Sequence, residues 1–201
     1  MIATARESLV YRFQSGELLK SVDKDVQWKI LERKDLRIFS PNSFLIRRSC
    51  IESFRKKHWC VILYNDVDWI AYGWVRPPFT AAPPHLPCWF RNREEYWLYT
   101  AHTNNKYRRM GYNKYLKKIR IDLIRENKNA KRISIYTDTV AVNIPSRRSM
   151  LSSGFEPEGI ITRYYIKELK YLNYLLYRNR WGFVWGTWNK LREHPPLPDG
   201  S

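Results

Sequence analysis

The sequence has few cysteines and no long apolar run. Its three cysteines, Cys50, Cys60 and Cys88, form no CxxC pair, which excludes a disulfide framework and predicts reduced thiols. His58 and His85 lie near them, but the spacings are not those of zinc ligands, so we predict no metal site. No stretch approaches the roughly 18 consecutive apolar residues of a membrane span, and the N-terminus has no basic segment followed by an apolar one. We therefore expect a cytoplasmic protein without a membrane span or signal peptide.

Acidic residues are also scarce, since 19 Asp and Glu face 36 Lys and Arg and leave a net charge of +17. Such a surplus attracts nucleic acid, an anionic membrane, a phosphorylated cofactor or an acidic protein. Nine Trp, fourteen Tyr and eight Phe accompany it. Aromatic residues among cations stack single-stranded nucleic acid, but they also line pockets for apolar ligands. Composition leaves these alternatives open.

Hydrophobic periodicity predicts strands that alternate with helices. We predict strands over 26–31, 59–64, 69–75, 96–103 and 132–137, a strand or strand pair over 155–166, and helices over 43–57, 111–127 and 144–153. Residues 1–24 alternate weakly and are typical of an edge strand or an irregular arm. This order indicates an α/β or α+β domain.

Two segments depart from the regular pattern. Residues 76–94 hold five prolines, which deny the hydrogen bonds of a ladder and predict a long loop of functional importance. Residues 167–201 are rich in aromatic and basic side chains. We therefore divide the chain into a domain over 1–166 and a C-terminal extension over 167–201, which packs on that domain or on a partner.

A short basic loop lies between the predicted strand 96–103 and the helix after it. It reads Arg108-Arg109-Met110-Gly111-Tyr112-Asn113. Free N–H groups at the start of a helix bind anions, and Arg108 and Arg109 would add charge-assisted hydrogen bonds to phosphate oxygens. Gly111 permits close approach of a ligand to the backbone. The alternative is an ordinary basic turn.

This loop resembles the pyrophosphate loop of the GNAT superfamily of acyl-CoA-dependent N-acyltransferases. Arg108 and Gly111 match the family pattern, and Asn113 departs from it. A second block, from Asn143 through Ser146 to Gly154-Phe155, is similar to another motif of the family and follows at the right separation. The resemblance covers about 95–166. It implies a mixed sheet of six to seven strands, with splayed central strands and flanking helices.

The resemblance also implies the site residues. Acyl-CoA would contact the strand at Ala101, His102 and Thr103, the loop from Arg108 to Asn113, and the second block at Asn143 and Ser146. A backbone N–H of the strand would polarise the thioester carbonyl. Capping of the helix explains Asn143 equally well.

Acyl transfer to an amine also needs a base and an acid. His102 is the candidate base because its ordinary pKa is near 6.5, and Glu95 at the start of the same strand is the second candidate. Many relatives place a proton-donating Tyr where this sequence has Met150. Either Tyr99, Tyr136 or water would then replace that acid, or the CoA thiolate would leave unprotonated. For His102 and Glu95 the alternative is a strand residue without a chemical role.

We thus predict an N-acyltransferase that moves an acetyl or longer fatty acyl group from acyl-CoA to a primary amine of a small molecule or peptide. The surplus positive charge suits an acidic peptide as acceptor or an acyl-carrier protein as alternative donor, and the sequence leaves both a monomer and a homodimer open. The longer chain would occupy a tunnel walled by aromatic residues of the extension and of the Pro-rich loop, around Trp89, Phe90, Tyr96 and Trp97, with Ala81 and Ala82 leaving space. The alternatives are a non-catalytic basic and aromatic module that binds nucleic acid or another acidic partner, or a peripheral membrane protein that uses the tail. We consider nucleic acid the less favoured partner.

Overall fold

The computed structural model describes residues 3–14, 26–40, 43–83, 95–127, 134–166 and 174–178. These ranges fall into two units, Glu17–Ile135 and the pair of segments Met1–Gly16 and Tyr136–Ser201. The described residues contain eight strands, numbered β1 to β8 in chain order, and three α-helices, α1 to α3. The α+β class is therefore confirmed. None of the helices in these ranges combines the length and the apolar composition needed to cross a bilayer.

The unit Glu17–Ile135 is built on four antiparallel strands in the order β2, β3, β4, β5. Their bounds are Gln27–Leu31, Trp59–Tyr64, Trp69–Arg76 and Tyr96–Thr103. Every residue of β4 is buried, as expected of a strand covered on both faces. Helix α2 (Tyr112–Glu126) packs on this sheet through Tyr112, Leu116 and Ile119. A 3-10 helix over Arg33–Ile38, which periodicity did not predict, precedes helix α1 (Phe44–Arg55).

The other unit is formed by β1 (Ala3–Phe13), β6 (Ile135–Val140), α3 (Ile144–Leu151), β7 (Phe155–Ile166) and β8 (Tyr174–Arg178). Strand β1 pairs with β6 on one side and with β7 on the other, so it is an inner strand of this unit. The expectation of an edge strand or irregular arm was therefore wrong over Ala3–Phe13. Leu9 and Val10 are consecutive and both buried, which is why no clean alternation marks this strand in the sequence.

Two further predictions need adjustment. The strand expected over 132–137 is described from Ile135 to Val140, because the polar run Thr137-Asp138-Thr139 continues the ladder with β1. Strand β8 lies within the predicted extension and pairs with β7, which is one continuous strand. The boundary between 166 and 167 stays a prediction. Residues 84–94, 167–173 and 179–201 lie outside the described residues.

Candidate functional site

Strand β5 changes character halfway along its length. Its first four residues, Tyr96–Tyr99, are buried, whereas Thr100 and Ala101 are exposed. At the change the register with β4 shifts, and Thr100 has a φ of +45°, a backbone conformation that threonine rarely adopts. Such a bulge bends a strand and redirects its side chains. The side chains of Ala101, His102 and Thr103 are therefore directed differently from those that a regular continuation of the buried residues before them would give.

The His102 imidazole lies against two aromatic rings of β4. Its centroid is 5.7 Å from the Trp69 ring and 5.8 Å from the Tyr72 ring, and His102 is directly opposite Tyr72 in the ladder. Partial burial, together with the positive charge of Arg108, lowers the pKa of His102 below its ordinary 6.5. No described residue hydrogen-bonds the ring. His102 is therefore neutral at pH 7 and able to accept a proton.

The chain after His102 is held to β4 by Asn104. The Asn104 side-chain amide donates to the Trp69 carbonyl at 3.0 Å, and its backbone N–H donates to the Ile70 carbonyl at 2.9 Å. A short 3-10 turn over Asn105–Tyr107 follows. Arg108 Nε then donates to the Thr103 carbonyl at 3.4 Å. These bonds fix the basic loop beside the end of β5 that carries His102.

The loop from Arg109 to Asn113 carries backbone N–H donors at the start of α2. Arg109 and Gly111 both have positive φ, +68° and +82°, and Gly111 is the N-cap of α2. In the described part of the chain, no backbone carbonyl accepts from the N–H groups of Arg109, Met110, Gly111 and Asn113. Arg108 and Arg109 are exposed beside them. Unused N–H groups, the positive end of a helix and two guanidinium groups fit a pyrophosphate.

Glu95 lies far from this loop. It precedes the first residue of β5, and at about 3.3 Å per residue the seven residues to His102 span roughly 23 Å. The Glu95 carbonyl accepts from Nη1 of the buried Arg76 at 2.8 Å, and Nη2 of Arg76 donates to the Thr80 carbonyl at 3.2 Å. The structure thus places Glu95 and His102 at opposite ends of the strand, and a base role for Glu95 stays a prediction.

Tyr99 belongs to a buried polar network that the sequence did not predict. Its hydroxyl oxygen lies 2.6 Å from His58 Nδ1 and 3.1 Å from Ser53 Oγ. His58 Nε2 is 2.7 Å from the Ala81 carbonyl, which only accepts, so Nε2 carries the proton and Nδ1 accepts from Tyr99. Burial raises the pKa of Tyr99 and lowers that of His58 to about 4. The proposed acid role of Tyr99 remains a prediction, made from a hydroxyl that is already hydrogen-bonded inside the fold.

The second motif lies in the other unit. Asn143 caps α3, because its side-chain oxygen accepts from the Ser146 N–H at 3.2 Å. Met150, at the position of the family tyrosine, is buried. The hydroxyl of Tyr136, the second substitute for that tyrosine, donates to Glu158 at 3.3 Å. Capping accounts for Asn143, and contacts of Asn143 and Ser146 with a cofactor stay predictions.

Comparison with known proteins gives structural matches only. No protein-family model and no curated protein sequence matches the chain. The solved structures it resembles include a functionally unknown conserved protein from Staphylococcus epidermidis, with 8% identity over 81% of this chain and a TM-score of 0.56. A tandem GNAT protein from the clavulanic acid biosynthesis pathway has 12% identity over 76% of the chain and a TM-score of 0.55. A GNAT-family acetyltransferase from Colwellia psychrerythraea has 15% identity over 83% and a TM-score of 0.54.

At these identities the likeness extends to the fold alone, a mixed β-sheet with flanking helices. The chain covers 61%, 50% and 58% of the length of those three proteins.

Proposed function

We propose that this chain, which has the GNAT fold, is an N-acyltransferase that moves an acyl group from acyl-CoA to a primary amine. The observation that carries the proposal is that, in the described part of the chain, the N–H groups of Arg109, Met110, Gly111 and Asn113 donate to no backbone carbonyl, beside the end of β5 that carries His102. These donors suit the diphosphate of CoA, and the exposed Ala101 on β5 suits its acyl-bearing arm. When bound, the donor supplies an activated thioester.

His102 takes the proton in this proposal. The amine nitrogen forms a bond to the thioester carbonyl carbon, and the proton leaves the nitrogen for the neutral imidazole. The carbon–sulfur bond breaks with its electron pair on sulfur, so that CoA leaves as the thiolate. The support is the lowered pKa of His102, which keeps the ring unprotonated at pH 7, and its place next to the exposed Ala101 on β5. Two aromatic rings, those of Trp69 and Tyr72, hold the imidazole in place.

We expect CoA binding to depend on the loop. Arg108→Glu removes a cation, and Gly111→Val introduces a β-branched residue where φ is +82°. Each should weaken the binding of acetyl-CoA by about 1–3 kcal/mol, the scale of a lost hydrogen bond to a charged group. Isothermal titration calorimetry measures the affinity directly.

The matched control is Arg125→Glu, which makes the same charge reversal in the last turn of α2, at the far end of the helix from the loop. It should leave the affinity unchanged, because exposed charges that far apart are largely screened. Wild-type affinity in both loop variants would contradict the assignment of the loop.

The second candidate function is a non-catalytic module that binds nucleic acid or another acidic partner, and the net charge of +17 favours it. The two functions differ in their response to salt. Binding that neutralises several phosphates of a nucleic acid falls steeply as salt rises, whereas a CoA site contacts few phosphates and responds mildly. Titrating a single-stranded oligonucleotide and acetyl-CoA at several salt concentrations separates them.

The length of the acyl chain is a further part of the proposal. Ala82, Tyr96 and Trp97 are buried, while Trp89, Phe90 and most of the extension lie outside the described residues. If aromatic residues wall a tunnel, each buried CH₂ adds up to about 0.8 kcal/mol. We expect kcat/KM to rise from acetyl- to octanoyl- to dodecanoyl-CoA with one competent amine. A flat or falling series would rule the tunnel out.

We propose further that the protein acts in the cytoplasm, as a monomer or homodimer. The surplus of cations suits an acidic peptide as acceptor, or an acyl-carrier protein as alternative donor. Mass spectrometry of acylated species formed on co-expression identifies the acceptor.

A further inference from the structure

Helix α1 exposes two large apolar side chains at its start. Phe44 is 65% exposed and Leu45 is 76% exposed. At 3.6 residues per turn, Arg48, Glu52 and Arg55 fall on the same outward side of the helix, while Cys50 and Ser53 face the core. We call the outward set Phe44, Leu45, Arg48, Glu52 and Arg55 the α1 patch.

The segment that contains the α1 patch is strongly basic. Residues 32–57 hold eight cationic side chains and three carboxylates. All three carboxylates already have ion-pair partners: Glu32 with Lys34, Asp35 with Lys29, and Glu52 with Arg48. Within the described ranges this leaves a set of cations without any carboxylate partner, namely Arg33, Arg37, Arg55, Lys56 and Lys57.

The start of α1 is held in place without any ligand. Arg47 Nη2 donates to the Phe39 carbonyl, which ties the first turn of the helix to the buried Phe39. The Ser43 N–H donates to the Ser40 carbonyl at 3.0 Å, and the two serine hydroxyls are 3.1 Å apart. Phe44 and Leu45 therefore lie on a first helical turn that hydrogen bonds already tie to the fold, so little ordering is required when the patch docks.

We propose that the α1 patch docks the protein on an anionic lipid surface. Phe44 and Leu45 enter the boundary between headgroups and acyl chains, and the surrounding cations approach the lipid phosphates. An apolar tip on a helix flanked by cations is typical of interfacial binding, and juxtamembrane cations add attraction to anionic lipids. A nucleic acid fits less well, because the aliphatic Leu45 offers no ring for base stacking. The proposal does not depend on the acyl-transfer activity.

Co-sedimentation of the full chain with vesicles tests the proposal. One set of vesicles is pure phosphatidylcholine, and the other contains one third phosphatidylglycerol. We expect binding to the anionic vesicles only, weakened by added salt. The variant Phe44→Ser/Leu45→Ser should bind them at least about tenfold more weakly, since the apolar contribution of both side chains is lost. Arg55→Glu should weaken binding separately, without touching the apolar pair.

Val67→Ser is the matched control. Val67 is 81% exposed, but it lies in the β3–β4 turn between Asp66 and Asp68, where an anionic surface is repelled. Its substitution should leave vesicle binding unchanged. All the substituted side chains are exposed, so thermal melts should match the wild type.

Three results would overturn the proposal. The first is the absence of binding to anionic vesicles, and the second is equal binding to neutral ones. The third is unchanged vesicle binding by Phe44→Ser/Leu45→Ser. This result would mean that another segment, such as the aromatic extension, binds the lipid. A single-stranded oligonucleotide is tested in parallel. If it binds the wild type through the α1 patch while vesicles do not bind, the partner is a nucleic acid.

Discussion

His102→Ala should lower kcat by about 10²–10⁴, the usual contribution of a general base, while leaving the affinity for acetyl-CoA close to that of the wild type. The reason is that, in the proposed function, different elements of the fold bind CoA and accept the proton. In the proposed function the N–H groups of Arg109, Met110, Gly111 and Asn113 bind phosphate, whereas the imidazole that takes the proton lies on β5 against the rings of Trp69 and Tyr72. Steady-state kinetics and calorimetry on the same preparation measure the two effects.

The pH profile separates a base from a merely structural histidine. Because burial and Arg108 lower the pKa of His102, the acid limb of kcat/KM in the wild type should fall below pH 6.5. This limb should vanish in His102→Ala, and added imidazole should restore part of the rate. A loss of kcat smaller than about threefold, with an unchanged pH profile of kcat/KM, would indicate a structural role for His102, because removal of a general base lowers kcat far more.

Local patterns predicted much of the unit Glu17–Ile135. Strands β3 and β5 have the predicted bounds, and β4 extends one residue further, to Arg76. These strands are dense in aromatic and β-branched residues and are bounded by turn residues, a combination that marks a strand whatever surrounds it. The basic loop could also be located, because a Gly after two Arg at the start of a helical pattern indicates an anion-binding backbone, and this depends on neighbouring residues alone.

Strands β1 and β8 could not be identified in the same way. Strand β1 owes its place to partners more than 120 residues away in sequence, such as Val140 opposite Ser8 and Ile160 opposite Leu9. Pairing over such separations is a property of the folded chain and leaves no local pattern. Among the described residues, strand β8 likewise pairs with β7 alone, in a segment whose composition suggested an extension.

The hydrogen-bond network around Tyr99 could not be predicted from local sequence patterns either. Ser53, His58 and Tyr99 come from α1, the turn after it and β5, and 46 residues separate the first from the last. The spacing of these three residues in the sequence does not indicate that they are in contact. The signal available in the sequence was weaker: His58 directly precedes the apolar run of β3, where a polar side chain must find a partner if it is buried.

His58 should make the protein less stable in mild acid. In the fold its pKa is about 4, whereas an unfolded chain titrates near 6.5. Above pH 6.5 both states are neutral and the contribution of His58 is constant. Between pH 6.5 and pH 4 the unfolded state binds a proton that the folded state excludes, so the free energy of unfolding falls by about 1.4 kcal/mol per pH unit, or about 3 kcal/mol in all.

Urea unfolding at pH 7 and pH 4.5 measures this loss, and His58→Gln isolates it. Glutamine keeps a donor for the Ala81 carbonyl and an acceptor for the Tyr99 hydroxyl, but it does not titrate. We expect the variant to be less stable than the wild type at pH 7, because its side chain is more flexible and fits the buried site less well. Its stability should change less than that of the wild type on acidification. An equal loss in both proteins would place the acid sensitivity elsewhere, because the proton that destabilises the fold would then not be bound at His58.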